Sequence, residues 1–150
     1  MVVFYFVHMF QVAIIIVNYN FEQLTIGLIK SILKYTSKDL IYQIIVVDNA
    51  SNKASFNKLE SFLKQFKVQE NIQCIRSEIN AGFGGGNNLG VAYADSDYIA
   101  FINSDVIFES DCLTAMKSFM DNHSSVGVST PQMLTMEGKN KACFNHFISP

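Results

Sequence analysis

Charge is scarce in this sequence. Asp, Glu, Lys and Arg account for 16% of its 150 residues, the formal net charge is −2, and 49% of the residues are apolar. A chain so poor in charge has no electrostatic grip on a polyanion, which excludes nucleic acid as the expected partner. Its apolar content excludes wholesale disorder. Cysteine is scarce as well: Cys74, Cys112 and Cys143 are odd in number and far apart, without the paired short spacings of zinc sites or small disulfide scaffolds. They are expected to be reduced thiols of a cytosolic protein.

Long hydrophobic runs are also missing. The most apolar stretch, residues 2–17, is interrupted by His8 and Gln11 and is shorter than the roughly 20 residues that a bilayer crossing needs. No basic residue precedes it and no small-residue cleavage site follows, so it does not read as a secretory signal. Residues 12–17 are read as a buried strand and residues 1–11 as an apolar arm without an assigned role, for which membrane-surface contact is the lesser alternative. There is no internal repeat and no low-complexity linker, and the length suits one domain with a core of its own.

What is present is an alternation of short apolar runs with longer amphipathic stretches, the pattern of βαβ units feeding a mainly parallel sheet. Residues 12–17 (VAIIIV) are rich in β-branched side chains on both faces, as in a strand covered on both sides. After a polar break at 18–20, Leu24, Leu28, Ile32 and Tyr35 recur at helical spacing, with Ile29 and Leu33 beside them, which predicts a helix over 22–35. A second strand over 42–47 runs into Asp48. Leu59, Phe62, Leu63 and Phe66 mark a second helix, and 72–75 a third strand. Residues 80–90 hold five of the eight glycines, which calls for positive φ or very close approach of the backbone to something. They are read as a flexible loop, with a short helix that starts inside or just after it and runs to Ala94. A fourth strand over 98–102 ends in Asn103, Ser104 and Asp105. Ser110 or Asp111 is expected to cap a helix carrying Leu113, Met116, Phe119 and Met120, and 126–129 is expected to form a last strand before Pro131. Beyond Gly138 the pattern fades.

Ligands of open parallel sheets bind at the carboxyl ends of the strands, and polar clusters follow three strands here: 18–20, 48–51 and 103–105. Singly each suits a turn; together they favour a site. The glycine segment is not a P-loop, because it lacks the Lys-Ser/Thr ending, and it breaks the dinucleotide fingerprint because Asn87 stands where a third glycine belongs. A loop opening a helix N-terminus, able to meet a diphosphate, and a plain glycine turn both remain. Asp105, two residues after Asn103, is the candidate metal ligand, since Mg2+ or Mn2+ binds through one or two carboxylates plus substrate phosphates. An ordinary strand-end aspartate is the alternative. His8, His123 and His146 have no partner at ligand spacing and read as structural or exposed. Asp95, Asp97, Glu109 and Asp111 read as solvated or capping carboxylates.

Four segments in order, 17–20 (VNYN), 46–51 (VVDNAS), 80–90 (NAGFGGGNNLG) and 102–106 (INSDV), resemble family 2 glycosyltransferases, with a rhamnosyltransferase-like flavour, over about residues 12–138. The resemblance implies a GT-A fold: an α/β, Rossmann-like nucleotide-binding sheet, mainly parallel, here truncated before the acceptor region that residues 139–150 would begin. It implies that Val17, Asn18, Tyr19, Asn20 and Asp48 meet the base and ribose of a nucleotide sugar. Asn80, Gly82, Phe83 and Asn87 would shape the pocket beside Asn103 and Ser104. Asp105 would match the metal-binding aspartate of the family's D-x-D element, whose first position here is Asn103. The implied reaction is transfer of a sugar from a UDP- or dTDP-type donor to a saccharide or lipid-linked acceptor hydroxyl with inversion, assisted by Mn2+ or Mg2+, in cell-envelope polysaccharide synthesis. The general base would come from the acceptor half, beyond 131–138. The expected place is the cytoplasm, at the inner face of the plasma membrane. Exposed edges predict self-association or a partner supplying the acceptor half. The alternatives are a catalytically silent nucleotide-binding or interaction module, and another α/β nucleotide binder that shares the rim chemistry.

Overall fold

A computed structural model describes residues 8–66, 71–135 and 137–141. The expectations for residues 1–7, Cys143 and His146 concern residues outside these. Two compact units divide the chain, Met1–Ser110 and Asp111–Pro150.

The first unit carries β1 (Phe10–Asn18), α1 (Glu22–Tyr35), β2 (Tyr42–Asn49), α2 (Lys53–Leu63) with a 3-10 turn at Lys64–Phe66, β3 (Ile72–Ser77), α3 (Gly82–Val91) and β4 (Ser96–Phe101). The four strands are all parallel, in the order β3-β2-β1-β4. Chain order therefore reverses direction across the sheet between β1 and β4, the position where open α/β sheets hold their ligands.

β1 and β2 are buried on both faces, as their β-branched runs require. Ala13, Ile15, Ile45 and Val47 form one side of the core with Leu89 and Val91 of α3 packed against it. Ile14, Ile16, Ile44 and Val46 alternate to the other side, and α1 and α2, which pack on each other, bury Leu28, Ile29, Ile32 and Leu59. Each such side chain contributes about 1.5–3 kcal/mol on leaving water. β1 starts two residues before the expected boundary because Phe10 N–H donates to the Asp95 carbonyl at 3.1 Å and Gln11 N–H to that of Ile41 at 2.7 Å, extending the pairing. β4 is a sheet edge with exposed Ile99 and Phe101.

The helix expected to start inside or just after the glycine segment starts inside it: α3 spans 82–91, so most of the segment is helix and little of it is loop, and the helix ends before Ala94. Gly82 supplies the positive φ of 72° that turns the chain into α3. Gly86 and Gly90, one turn apart, supply the close approach: a Cβ would lie 2.8 Å from Val17 Cγ1 at the first and 2.5 Å from Ile15 Cγ2 at the second. Their missing side chains let α3 lie directly on β1.

In the second unit, α4 (Cys112–Asn122) is capped by Asp111, whose side chain accepts from Thr114 N–H at 3.1 Å. β5 (Met133–Leu134) and β6 (Asn140–Lys141) form a short antiparallel hairpin that periodicity did not reveal. The strand expected over 126–129 is absent: this stretch takes no ladder partner among the described residues, and Val128 is 90% exposed. Among the described residues, no helix is long and apolar enough to cross a membrane.

Candidate functional site

The polar clusters gather at the carboxyl edge of the sheet, and the first two are tied together. Asn18, at the end of β1, donates its Nδ2 to Asp48 Oδ1 at 2.9 Å and to Ser51 Oγ at 3.1 Å, and its Oδ1 accepts from Thr25 Oγ1 at 3.0 Å. Asp48 is fully buried; its Oδ2 accepts from Ser51 N–H at 3.3 Å and lies 3.7 Å from Arg76 Nε. Asn20 N–H donates to Ser51 Oγ at 2.9 Å, and Asn20 Oδ1 accepts from Asn52 N–H and Nδ2, both at 2.8 Å. Asn52 in turn caps α2 through Ser55 N–H.

Two non-glycine residues in these turns hold positive φ, Asn20 at 59° and Ala50 at 62°. For alanine this conformation costs on the order of 1 kcal/mol and persists only where the surroundings over-determine it. The Asp48, Ser51 and Asn20 bonds are that surrounding.

The second strand end also grips the glycine segment. Asn49 Nδ2 donates to Asn80 Oδ1 at 2.9 Å and to the Gly82 carbonyl at 3.1 Å, while Asn49 Oδ1 accepts from Ala81 N–H at 3.1 Å. Asn80 Oδ1 also accepts from Gly82 N–H at 2.9 Å. No side chain caps α3, so its first-turn N–H groups beyond Gly82 are left for a ligand or water. Asn87 donates to the Phe83 carbonyl at 3.1 Å and keeps a buried Oδ1 without a partner among the described residues.

The expected site residues thus divide in two. Asn18, Asp48 and Asn87 are buried and Val17 packs under Gly86; both Asp48 oxygens are turned to protein donors, so this carboxylate shapes a turn and is not an open ligand. Tyr19 and Phe83 are exposed, at 45% and 56%. Asn103 and Asp105 are exposed and Ser104 half-buried, in a turn in which Val106 N–H donates to the Asn103 carbonyl at 3.2 Å. Because β4 ends at Phe101, Asn103 and Asp105 lie in this turn and not in an extended strand. Among the described residues no three His, Cys, Asp or Glu side chains cluster around a metal position. Asp105 is an exposed carboxylate beside a neutral amide, which suits a cation whose remaining ligands are phosphate oxygens and water.

Sequence reasoning assigned no role to Asn49, Ser51, Thr25 or Arg76. The first two adjoin Asp48 in the 46–51 motif, a usable signal; Thr25 and Arg76 had none. His8 lies at the opposite edge, before β1, where its Nδ1 is 2.8 Å from Asp95 Oδ1; this hydrogen bond holds the Asp95 carboxyl below its ordinary range. Cys74 and Cys112 are free thiols.

The model of "Glycosyl transferase family 2" matches residues 13–142. A poly(ribitol-phosphate) beta-glucosyltransferase of Bacillus spizizenii is 28% identical over 136 residues, covering 89% of this chain and 21% of that protein. The hexosyltransferase Agl10 of low-salt glycan biosynthesis in Haloferax volcanii is 27% identical over 132 residues, covering 85% of this chain and 38% of its own length. The crystal structure of S. aureus TarS 1-349 in complex with UDP-GlcNAc superposes with a TM-score of 0.65 at 22% identity, over 81% of this chain and 37% of that one. The chain spans about a fifth of the first of these relatives, and the shared fold is the α/β, mainly parallel GT-A sheet. With the family model matched over most of its length, the chain belongs to glycosyl transferase family 2.

Proposed function

We propose that residues 12–138 are the donor-binding part of a glycosyltransferase that moves a sugar from a nucleotide-diphosphate donor to an acceptor hydroxyl, with inversion, in cell-envelope polysaccharide synthesis. One observation carries the reading: β1 and β4 are neighbours at the point where strand order reverses, and the exposed Tyr19 and the exposed Asn103–Asp105 turn follow their carboxyl ends. Tyr19 offers a ring face to a base. Asn18, Asp48 and Ser51 hold the turn that presents it to base and ribose, Asn80 and Gly82 border the pocket, and Asp105 with Asn103 and Ser104 takes the diphosphate end.

A divalent cation bound there, Mn2+ or Mg2+, would neutralise charge growing on the departing diphosphate. Asp105 is the residue to hold it, with Asn103 as a weaker neutral neighbour. The base that takes the acceptor proton belongs to an acceptor region beyond residue 138, on the same chain or a partner. Names of relatives that glycosylate poly(ribitol-phosphate) support an envelope polymer as the product, and the UDP-GlcNAc complex of TarS supports a UDP-type donor. The four ordered segments, 17–20, 46–51, 80–90 and 102–106, support the rhamnosyltransferase-like branch, and with it a dTDP-type donor. Both readings place the chain where nucleotide sugars are available, at the cytoplasmic face of the membrane. Exposed Ile99 and Phe101 on the edge strand support self-association or a covering partner; a monodisperse monomer at high concentration in light scattering contradicts the former.

The test is calorimetric titration with UDP, dTDP and GDP, with and without Mn2+, alongside Asp105→Ala. Metal-dependent binding abolished by Asp105→Ala is the expected outcome. Binding of no nucleotide, or binding indifferent to both metal and Asp105, sinks the reading. Preference for dTDP over UDP selects the rhamnosyltransferase-like branch, and the reverse order rejects it.

A further inference from the structure

We propose that Arg76 is a positioning residue for the nucleotide: it holds the turn after β2 in shape without touching the donor. The inference rests on the donor-site reading above.

Arg76 and Asp48 are register partners across the parallel pair β2–β3, which sets the two side chains on one face of the sheet. The Arg76 guanidinium is engaged on three sides. Its Nε is 3.7 Å from Asp48 Oδ2, its Nη2 donates to the Ser51 carbonyl at 3.1 Å, and its carbon lies 4.0 Å from the centroid of the Phe56 ring at the start of α2. A planar fork that pairs, donates and stacks at once is the property of arginine, and lysine has no equivalent.

What these contacts hold is the strained part of the site. Asp48 is sealed from solvent; Arg76 is its ion-pair partner, and its carboxylate accepts hydrogen bonds only from the neutral Asn18 Nδ2 and Ser51 N–H among the described residues. A buried carboxylate stripped of its counter-charge is strongly disfavoured. Between Asp48 and Ser51 stands Ala50 at φ 62°. Ser51 passes the restraint on, because its Oγ accepts from both Asn18 Nδ2 and Asn20 N–H, the residues flanking Tyr19. Arg76 therefore acts on the β1 turn through Ser51.

Distance argues against direct contact. β3 is the far strand from the β1/β4 crevice, about 10 Å from β1 and about 14 Å from β4 at the usual strand spacing. The guanidinium leans toward α2, with 41% of the side chain still open to water. That opening also makes the position accessible to a small cation after truncation.

The test compares the intact chain with Arg76→Ala and Arg76→Lys, by titration with UDP and dTDP in the presence of Mn2+ and by amide hydrogen exchange across 48–52. Both variants should bind the tighter nucleotide roughly tenfold more weakly, the scale of one lost charge-assisted hydrogen bond, with faster exchange at Ser51. Millimolar guanidinium should restore affinity to Arg76→Ala and leave Arg76→Lys unchanged. Wild-type affinity in either variant overturns the proposal, reducing Arg76 to a stability brace. So does lost affinity with unchanged exchange at 48–52 and no guanidinium rescue, which makes Arg76 a direct ligand. If Arg76→Ala fails to fold, Arg76→Lys decides alone by the same affinity and exchange criteria. Failure of the unsubstituted chain to bind any nucleotide removes the donor-site reading and this inference with it, whereas intact wild-type binding with unaffected variants removes the inference alone.

Discussion

The amide of Asn18 donates to the carboxylate of Asp48 over 2.9 Å, between two residues that have no solvent exposure. The contact joins the carboxyl ends of adjacent strands and leaves Asn18 Oδ1 to accept from Thr25 on α1. Two polar side chains in such a place are tolerable only because each atom has a partner. Asn18→Ala strands one Asp48 oxygen and leaves the Thr25 hydroxyl only its long bond to the Phe21 carbonyl at 3.5 Å, and should cost about 2 kcal/mol in urea unfolding. A loss below about 0.5 kcal/mol, the level of an ordinary surface change, contradicts the network's structural role.

The glycines of α3 should respond oppositely to alanine. At Gly90 an added Cβ meets Ile15 Cγ2 at 2.5 Å and Val47 Cγ2 at 3.3 Å, both in the core, so Gly90→Ala should destabilise by about 1–3 kcal/mol. At Gly84 nothing lies within 4 Å of the added carbon, so Gly84→Ala should stabilise the helix by about 0.5–1 kcal/mol. Thermal melts of the two variants moving in the same direction would refute the account of close helix–sheet packing.

Glu22 ties the start of α1 to α2. Ser55 Oγ donates to its Oε2 at 2.7 Å and Lys58 Nζ to its Oε1 at 3.1 Å. The Ser55 hydrogen bond first, and Lys58 second, hold its carboxyl below the ordinary 4.5. A lowered folded pKa means the stabilisation is complete above pH 4.5 and is lost as pH falls through the folded value. Glu22→Gln should therefore cost about 1 kcal/mol at neutral pH and show a shallower acid limb in stability measured against pH. Parallel acid limbs for the two proteins argue against the assignment.

Burial pushes the Cys74 thiol up to about 12, with the Asp48 and Glu60 carboxylates adding to the effect. Thiolate is the reactive form, so iodoacetamide at pH 8 should label Cys74 slowly in the folded chain and readily in urea. Equal rates in both conditions would show that this thiol is not held in the β2–β3 environment.

Local patterns carried much of the architecture. The helix expected over 22–35 is α1 (Glu22–Tyr35), and the apolar runs at 12–17, 42–47 and 72–75 lie within β1, β2 and β3, because burial on one face or both imprints a period on the sequence. The segment 126–129 shows the limit: its apolar residues were read as a strand, yet a strand exists only where a ladder partner does, and local sequence holds no record of the partner. The hairpin at 133–141 was hidden for the converse reason, two residues per strand being too few for a period.

The candidate site divides along the same line. Ordered motifs over 17–20, 46–51, 80–90 and 102–106 were legible, since rim residues sit in contiguous stretches after strands, and they carry the family. Their orientation was not. Asp48 reads in sequence as a ligand at a strand end and lies in the structure with both oxygens facing protein donors. The glycines signalled close approach without saying to what, and they form a helix whose bare face touches β1. Arg76 carried no signal, because its partner is 28 positions away and meets it only through strand register. Sequence alone determined the order of elements from β1 to α4, the family and the rim that holds the polar residues; tertiary structure decided which of those side chains face inward, because the partners that make burial of an amide or carboxylate tolerable come from strands and helices distant in the chain.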